Sequence, residues 1–249
     1  MSSLEGRTAI ITGGGRDIGR ACAEALAAEG AMVAISYMSS SSGADEAVAA
    51  IEGKGGRAFV MQCDVTDGAQ VQALVDRTVS DLGGKVDVLV NNAGGLIARK
   101  PMSEMDMDHW HDVMNLNLTS AVLAIKAVLP HMSEGAIVNV ASQAGRDGGG
   151  PGAIAYATSK GAMMTMTRGL AKELGPKVRV NAVCPGIIAT GFHDTFTPDE
   201  ARARVAAGTP LKREGRAEEI GQLVAFLAGD RAAFVNGACV DANGGMLFS

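Results

Sequence analysis

Tyr156 and Lys160 stand four residues apart in the run Tyr156-Ala-Thr-Ser-Lys160. On a helix that spacing puts both side chains on one face. A phenol titrates near about pH 10 and is a poor base at neutral pH. An ammonium held close lowers that value and lets the phenol exchange a proton with an alcohol or a carbonyl oxygen. The spacing alone is common by chance, and its company gives it weight. Ser142 follows an apolar run at 137–140, and its hydroxyl can hold a carbonyl oxygen. Asn117 lies in a preceding helical stretch and can tether a water beside Lys160.

A second cluster, Thr12-Gly13-Gly14-Gly15-Arg16-Asp17-Ile18-Gly19, lies where an apolar run meets a helical pattern. Glycines there let the backbone turn tightly and approach a pyrophosphate. The free N–H groups and dipole of the helix N-terminus favour the anion. The spacing of Gly13, Gly15 and Gly19 is one residue longer than GxGxxG. In NAD-binding proteins a carboxylate about 20 residues further on binds the ribose 2′-hydroxyl. Here the corresponding segment is Ser36-Tyr37-Met38-Ser39-Ser40, with no acid. The missing carboxylate removes repulsion of a 2′-phosphate, and Arg16 can pair with it. NADP(H) is therefore favoured, with NAD(H) possible, and Tyr37 borders the same end of the site. The bland alternative for Arg16 is a solvated surface residue.

These residues need a scaffold that brings strand ends together, and the chain supplies one by alternating apolar runs with helical patterns. Strands are predicted at 7–12, 32–36, 58–63, 86–90, 136–140, 179–183 and 238–240, and helices at 18–29, 43–53, 69–82, 107–132, 155–174 and 220–228. Strands this continuously apolar are buried on both faces, as in a parallel sheet covered by helices. With right-handed crossovers the result is an α/β, doubly wound, Rossmann-type sheet of about seven strands. Seven strands can also close a barrel, but the glycine-rich turn favours the open sheet. No linker divides the chain, so residues 1–249 are read as one domain.

Composition bounds the partners. With 47% hydrophobic residues the chain can build a large core, which rules out disorder as its dominant state. A net charge of −5 with scattered Lys and Arg argues against a nucleic-acid surface, and 4% aromatics is too few for base-stacking platforms. No apolar run is read as long enough to span a membrane, and no secretory leader is visible. The four cysteines, Cys22, Cys63, Cys184 and Cys239, are far apart and form no CxxC pair. That suits reduced thiols and a cytoplasmic location. His109 and His111 point apart on a helix and have no companions for a metal site, so no metal is expected.

Taken together, Thr12–Gly19, Asn91-Asn92-Ala93-Gly94, Asn117, Ser142, Tyr156/Lys160 and Pro185-Gly186 resemble the short-chain dehydrogenase/reductase family over essentially the whole chain. The resemblance implies a catalytic tetrad of Asn117, Ser142, Tyr156 and Lys160. Tyr156 would be the general acid or base and Ser142 the substrate-orienting donor. Lys160 would bind the nicotinamide ribose and lower the Tyr156 pKa, and Asn117 would support a relay water. It further implies that Asp64 and Val65 border the adenine and that Asn91, Ala93 and Gly94 line the cofactor. Ile188 and Thr190, just past Pro185-Gly186, would contact the carboxamide and phosphates. Residues 187–213 would form a mobile substrate lid. Asn243-Gly244-Gly245 resembles a closing segment that packs at tetramer interfaces, so a homotetramer or homodimer is implied.

One departure stands out. The family's phosphate turn reads TGxxxGxG, and Asp17 replaces the middle glycine. Aspartate tolerates the left-handed backbone, but its charge competes with a pyrophosphate for the same positive field. Pairing with Arg16 or Arg20, or capping the helix, would relieve that competition. Other positions stay open. Phe192, His193 and Phe196 touch the substrate or belong to an exposed loop. Arg99, Lys100 and Arg146 meet an anionic substrate or solvent. Met163, Met164 and Met166 serve the core or a subunit interface.

The expected activity is hydride transfer between NADP(H) and a small-molecule carbonyl or secondary alcohol. The residues at 36–42 and Thr209-Pro210-Leu211-Lys212-Arg213 lean toward 3-oxoacyl thioester reductases. The alternatives are an NAD-dependent sugar or polyol dehydrogenase and a dinucleotide-binding regulator without catalysis.

Overall fold

The computed structural model describes residues 4–248. Seven strands, β1 Thr8–Ile11, β2 Met32–Tyr37, β3 Ala58–Gln62, β4 Val88–Asn91, β5 Gly135–Val140, β6 Val178–Pro185 and β7 Cys239–Ala242, form one sheet in the order β3-β2-β1-β4-β5-β6-β7. Every neighbouring pair is parallel. The sheet is open, not a barrel. The chain reverses its direction of travel across the sheet between β1 and β4, so the loops at their carboxyl ends diverge and leave a crevice there.

The period of two along each strand sorts the core into two halves. On one face Ile11, Val33, Ile35, Val88 and Val90 pack with Leu26, Ile51 and Val224. Those last three come from helices α1 Asp17–Ala28, α2 Ser41–Glu52 and α10 Ala217–Ala228. On the other face Ile10, Ala34, Leu89, Ile137 and Val180 meet Leu74, Val75, Ile125 and Val128. These belong to α3 Gly68–Leu82 and α5 Ser120–Val128. Adjacent residues such as Ile10 and Ile11 thus serve opposite faces, which explains why the runs are apolar without alternation. Each such side chain contributes about 1.5–3 kcal/mol by leaving water.

Two features differ from the sequence reading. The helix expected at 107–132 is interrupted. It begins as α4 Met107–Met114, passes through a π turn at Asn115–Thr119, and continues as α5. By length and apolarity, Met107–His131 could cross a membrane, contrary to the expectation that no stretch is long enough. It contributes Val113, Asn117, Ala121, Ala124, Ile125 and Val128 to the buried interior and packs against α3 and α7 Ile154–Leu174. It is a core helix of this fold. The segment expected as a lid, 187–213, carries two helices, α8 Gly191–Phe196 and α9 Asp199–Gly208. A short helix, α6 Ala144–Asp147, precedes α7.

Candidate active site

A cleft of about 780 Å³ opens at the carboxyl ends of the strands, from the turn after β1 to the lid. The turn is held from behind by one threonine and one asparagine. Thr12 Oγ1 accepts the N–H groups of Asn92 and Ala93 at 3.0 and 3.1 Å. Asn92 Nδ2 donates to the carbonyls of Thr12 and Gly13 at 3.0 and 2.9 Å. Gly19 is required by this closeness, because a Cβ there would lie 2.3 Å from Gly13 O and 2.5 Å from Asn92 Nδ2. No side chain caps α1, so its first N–H groups have no partner within the helix and present a positive terminus to the cleft. Gly13, Gly15, Arg16, Asp17, Ile18 and Gly19 all line it. The glycine cradle and uncapped terminus fit a nucleotide diphosphate.

At the adenosine end, Ser36, Tyr37, Met38, Ser39 and Ser40 line the wall, and none is acidic. Arg16 is largely exposed, and its nearest ionic partner is Asp17, 3.8 Å away. Asp17 adopts the left-handed backbone, φ 51°, and directs Oδ1 to the Gly191 N–H at 3.2 Å. It neither caps α1 nor pairs with Arg20, which is taken by Glu24 and Glu46 at 2.8 Å each.

The proton-handling residues converge at the middle of the cleft, where Ser142, Tyr156 and Lys160 all line the wall. Ser142 follows β5, and its hydroxyl is hydrogen-bonded to Tyr156. Burial pushes the Tyr156 phenol above its usual pKa, and the Ser142 hydroxyl opposes that rise. Lys160 was expected to depress it. Its Nζ instead donates to Val140 O at 2.7 Å, with 5.7 Å to the centre of the Tyr156 ring. Lys160 is itself buried, which lowers its pKa to about 8. Asn117 sits in the π turn, fully buried. Its Nδ2 donates to Gly95 O and Val113 O, and its Oδ1 accepts the Gly95 N–H. Its carboxamide therefore clamps the loop after β4 and leaves no side-chain group to tether a water in the cleft. A Cβ at Gly94 would fall 2.5 Å from Asn117 Oδ1 and 3.2 Å from Lys160 Nζ, so only glycine fits between them.

The lid closes the substrate end. The Phe192 ring lies 5.8 Å from that of Tyr156 and 5.2 Å from that of Phe196. His193 also lines the cleft, whereas the Phe196 side chain does not. Burial lowers the His193 pKa, so the ring is neutral near pH 7. Arg99 ties the lid to the opposite loop, donating to Phe196 O and Pro151 O at 2.9 Å each.

Other expected residues fall elsewhere. Asn91 ends β4 and is buried behind the cleft, where Nδ2 donates to Asn139 Oδ1 at 2.9 Å. The strand runs one residue further than expected, so Asn92, with Ala93 and Gly94, lines the cofactor half. Asp64 turns its carboxylate to Thr66 at 2.9 and 2.7 Å, leaving Cys63 and Val65 on the wall. Pro185, Gly186, Ile188 and Thr190 line the cleft as expected. Lys100 pairs with Asp106. Arg146 is neither solvated nor in the cleft, but bonded to Asp241 at 2.7 Å and Cys239 O at 2.6 Å. Met163 and Met164 are core. His109 is buried and His111 exposed, and no cluster of metal-ligating side chains occurs among the described residues. Missed residues include Gln143, Arg204, Asn243 and Met246, which reach the cleft from four separate segments.

A family described as enoyl-(acyl carrier protein) reductase matches residues 13–247. The chain is 40% identical to an uncharacterized oxidoreductase of Methylorubrum extorquens, covering 99% of this chain and 100% of the relative. It is 37% identical to the 3-oxoacyl-[acyl-carrier-protein] reductase of Haemophilus influenzae over 99% and 100% of the two chains. It is 36% identical to glucose 1-dehydrogenase 2 of Bacillus subtilis over 98% and 95%. Among solved structures, a blue fluorescent protein from a metagenomic library, in complex with NADPH, superposes with a TM-score of 0.92 at 38% identity, covering 99% and 100%.

Proposed function

The chain belongs to the short-chain dehydrogenase/reductase family of oxidoreductases, and from that premise we propose that it reduces a ketone to a secondary alcohol with NADPH. The observation that carries this reading is the state of Tyr156. Burial raises its pKa, so the phenol holds its proton at neutral pH and is a donor to a carbonyl oxygen. When bound, the nicotinamide supplies the hydride that goes to the carbonyl carbon. The carbonyl oxygen then takes the Tyr156 proton, leaving an alcohol and a phenolate. Ser142 hydrogen-bonds the phenol oxygen and stabilises the phenolate. The buried Lys160 ammonium supplies positive charge nearby. Asn117 positions this group indirectly, by fixing Gly95 and the loop that carries Gly94.

Gly13, Gly15, Ile18, Gly19, Ala93, Gly94, Ile188 and Thr190 are the residues proposed to hold the dinucleotide, with Asn92 replacing Asn91. The acid-free wall at Ser36–Ser40 and the exposed Arg16 favour the 2′-phosphate of NADP(H). A 3-oxoacyl thioester is the preferred substrate class, supported by the 37% identical reductase. The 36% identical glucose dehydrogenase supports the second reading, an NAD-linked sugar or polyol dehydrogenase. The test is titration with NADPH and NADH, followed by turnover of a ketone and polyol panel with wild type and Tyr156→Phe. Tighter NADPH binding, reduction of a 3-oxo ester, and a loss of about 10²–10⁴-fold in Tyr156→Phe with cofactor binding kept are expected. Tighter NADH binding with polyol oxidation selects the second reading. Unchanged turnover in Tyr156→Phe overturns the assigned role.

A further inference from the structure

The lid helix α9 turns Ala201, Arg204 and Val205 toward the cleft, three residues at the i, i+3, i+4 spacing of one helix face. Two of them are apolar or small, and the third is a cation. Its neighbour Arg202 is clamped by Glu214 and Asp194 on another side of the helix. Arg204 has no hydrogen-bond or ion-pair partner among the described residues. A second guanidinium, Arg99, lines the same cleft and spends two of its nitrogens on Phe196 O and Pro151 O. The one carboxylate at this end, Asp147, is occupied, accepting from Gln143 Nε2 at 2.9 Å and from the Gly149 N–H at 2.8 Å. His193 is neutral. The substrate end therefore carries two cations and one internally satisfied anion, although the chain as a whole is acidic, with net charge −5.

We propose that Arg204, assisted by Arg99, is a specificity-determining residue that binds an anionic group, carboxylate or phosphate, on the substrate's far end from the reacting carbonyl. The proposal rests on the ketone-reductase reading above for what lies at the near end. Both guanidiniums offer several N–H donors in a planar fork suited to such oxygens. Placed on the lid, Arg204 would also engage only a substrate long enough to reach from Tyr156 to α9, so the charge doubles as a gauge of chain length.

The experiment compares matched ligands in the NADPH-saturated protein, by ligand-observed NMR for binding and by steady-state kinetics for turnover. One arm uses oxo-acids of increasing chain length against their methyl esters. The other uses a 3-oxobutanoyl thioester with a phosphopantetheine arm against its uncharged N-acetylcysteamine thioester. Wild type is expected to bind the charged member of a pair about fivefold tighter, the scale of a partly exposed ion pair. That advantage disappears in Arg204→Gln, survives in part in Arg204→Lys, and shrinks as salt is added. Uncharged ketones bind Arg204→Gln as they bind wild type. The arm showing the Arg204-dependent preference tells carboxylate from phosphate. Equal affinity within both pairs, or a preference that persists in Arg204→Gln, overturns the proposal while leaving ketone reduction intact. An Arg204-dependent preference without reduction of any ketone keeps the anion site and removes the reductase reading.

Discussion

The Asp17 carboxylate accepts the Gly191 N–H at 3.2 Å, joining the turn after the first strand to the first residue of the lid helix. The two residues are 174 apart in the chain. The acid that departs from the family's glycine is thus a strut between cofactor half and lid.

Separating its charge from its hydrogen bond is straightforward. Asp17→Asn keeps an acceptor oxygen and a residue tolerant of left-handed φ but removes the negative charge from the helix N-terminus. NADPH affinity is expected to rise about two- to fivefold, with unchanged hydrogen exchange in 191–208. Asp17→Gly gives the same tightening and faster exchange at Gly191. A weaker Kd in both variants would show that the carboxylate does not oppose the diphosphate.

The raised Tyr156 pKa sets the pH behaviour of the two directions. Reduction needs the protonated phenol, so its kcat/KM is expected to stay level through neutral pH and fall only on the alkaline side. Alcohol oxidation needs the phenolate and rises over the same alkaline range. Paired pH profiles check this, and a reduction rate that climbs with pH contradicts it.

Lys160 links stability to pH. Its pKa falls from 10.5 to about 8 on folding, so between those values the unfolded chain holds more protons and stability increases with pH. Below pH 8 the buried charge is a net cost, at most about 3 kcal/mol. Lys160→Met is expected to be inactive yet more stable than wild type at pH 7 by about 1–3 kcal/mol, with the difference narrowing as pH rises to 10. Denaturant melts at several pH values read both the sign and the window.

The pair of Arg146 and Asp241, with side chains 14% and 16% exposed, joins α6 to β7. Removing one partner leaves a half-desolvated charge. Arg146→Met is expected to lower stability by about 2–3 kcal/mol while the NADPH affinity of the folded enzyme changes little, because Arg146 does not line the cleft. Chemical denaturation and cofactor titration on the same sample separate the two effects.

Which of these features could be read from sequence depended on distance along the chain. The turn at Thr12–Gly19 and the Tyr156/Lys160 pair are local patterns with a backbone reason, and both stand at the cleft. Strand ends were displaced by a residue or two, and at β4 that sufficed to exchange Asn92 for Asn91. The Asp17 contact could not be read at all, since nothing near residue 17 reports what the chain brings back at residue 191. Arg204 was hidden for another reason. The lid helix α9 has no buried face, so no periodicity shows which of Arg202 and Arg204 looks inward.

The π turn at Asn115–Thr119 amounts to one residue more than an α-helix would need over the same path. Deleting a single residue there would make a smoother helix and a worse protein. Everything beyond the deletion would rotate by about 100°, carrying Ala124, Ile125 and Val128 off the sheet. Asn117 would lose its hold on Gly95. The irregular turn therefore sets the rotational phase between the two halves of the helix: α4 is aligned to the site and α5 to the core. An insertion or deletion scan through 107–128 would find the tolerance lowest at this turn, although most of its side chains touch neither the cleft nor a ligand.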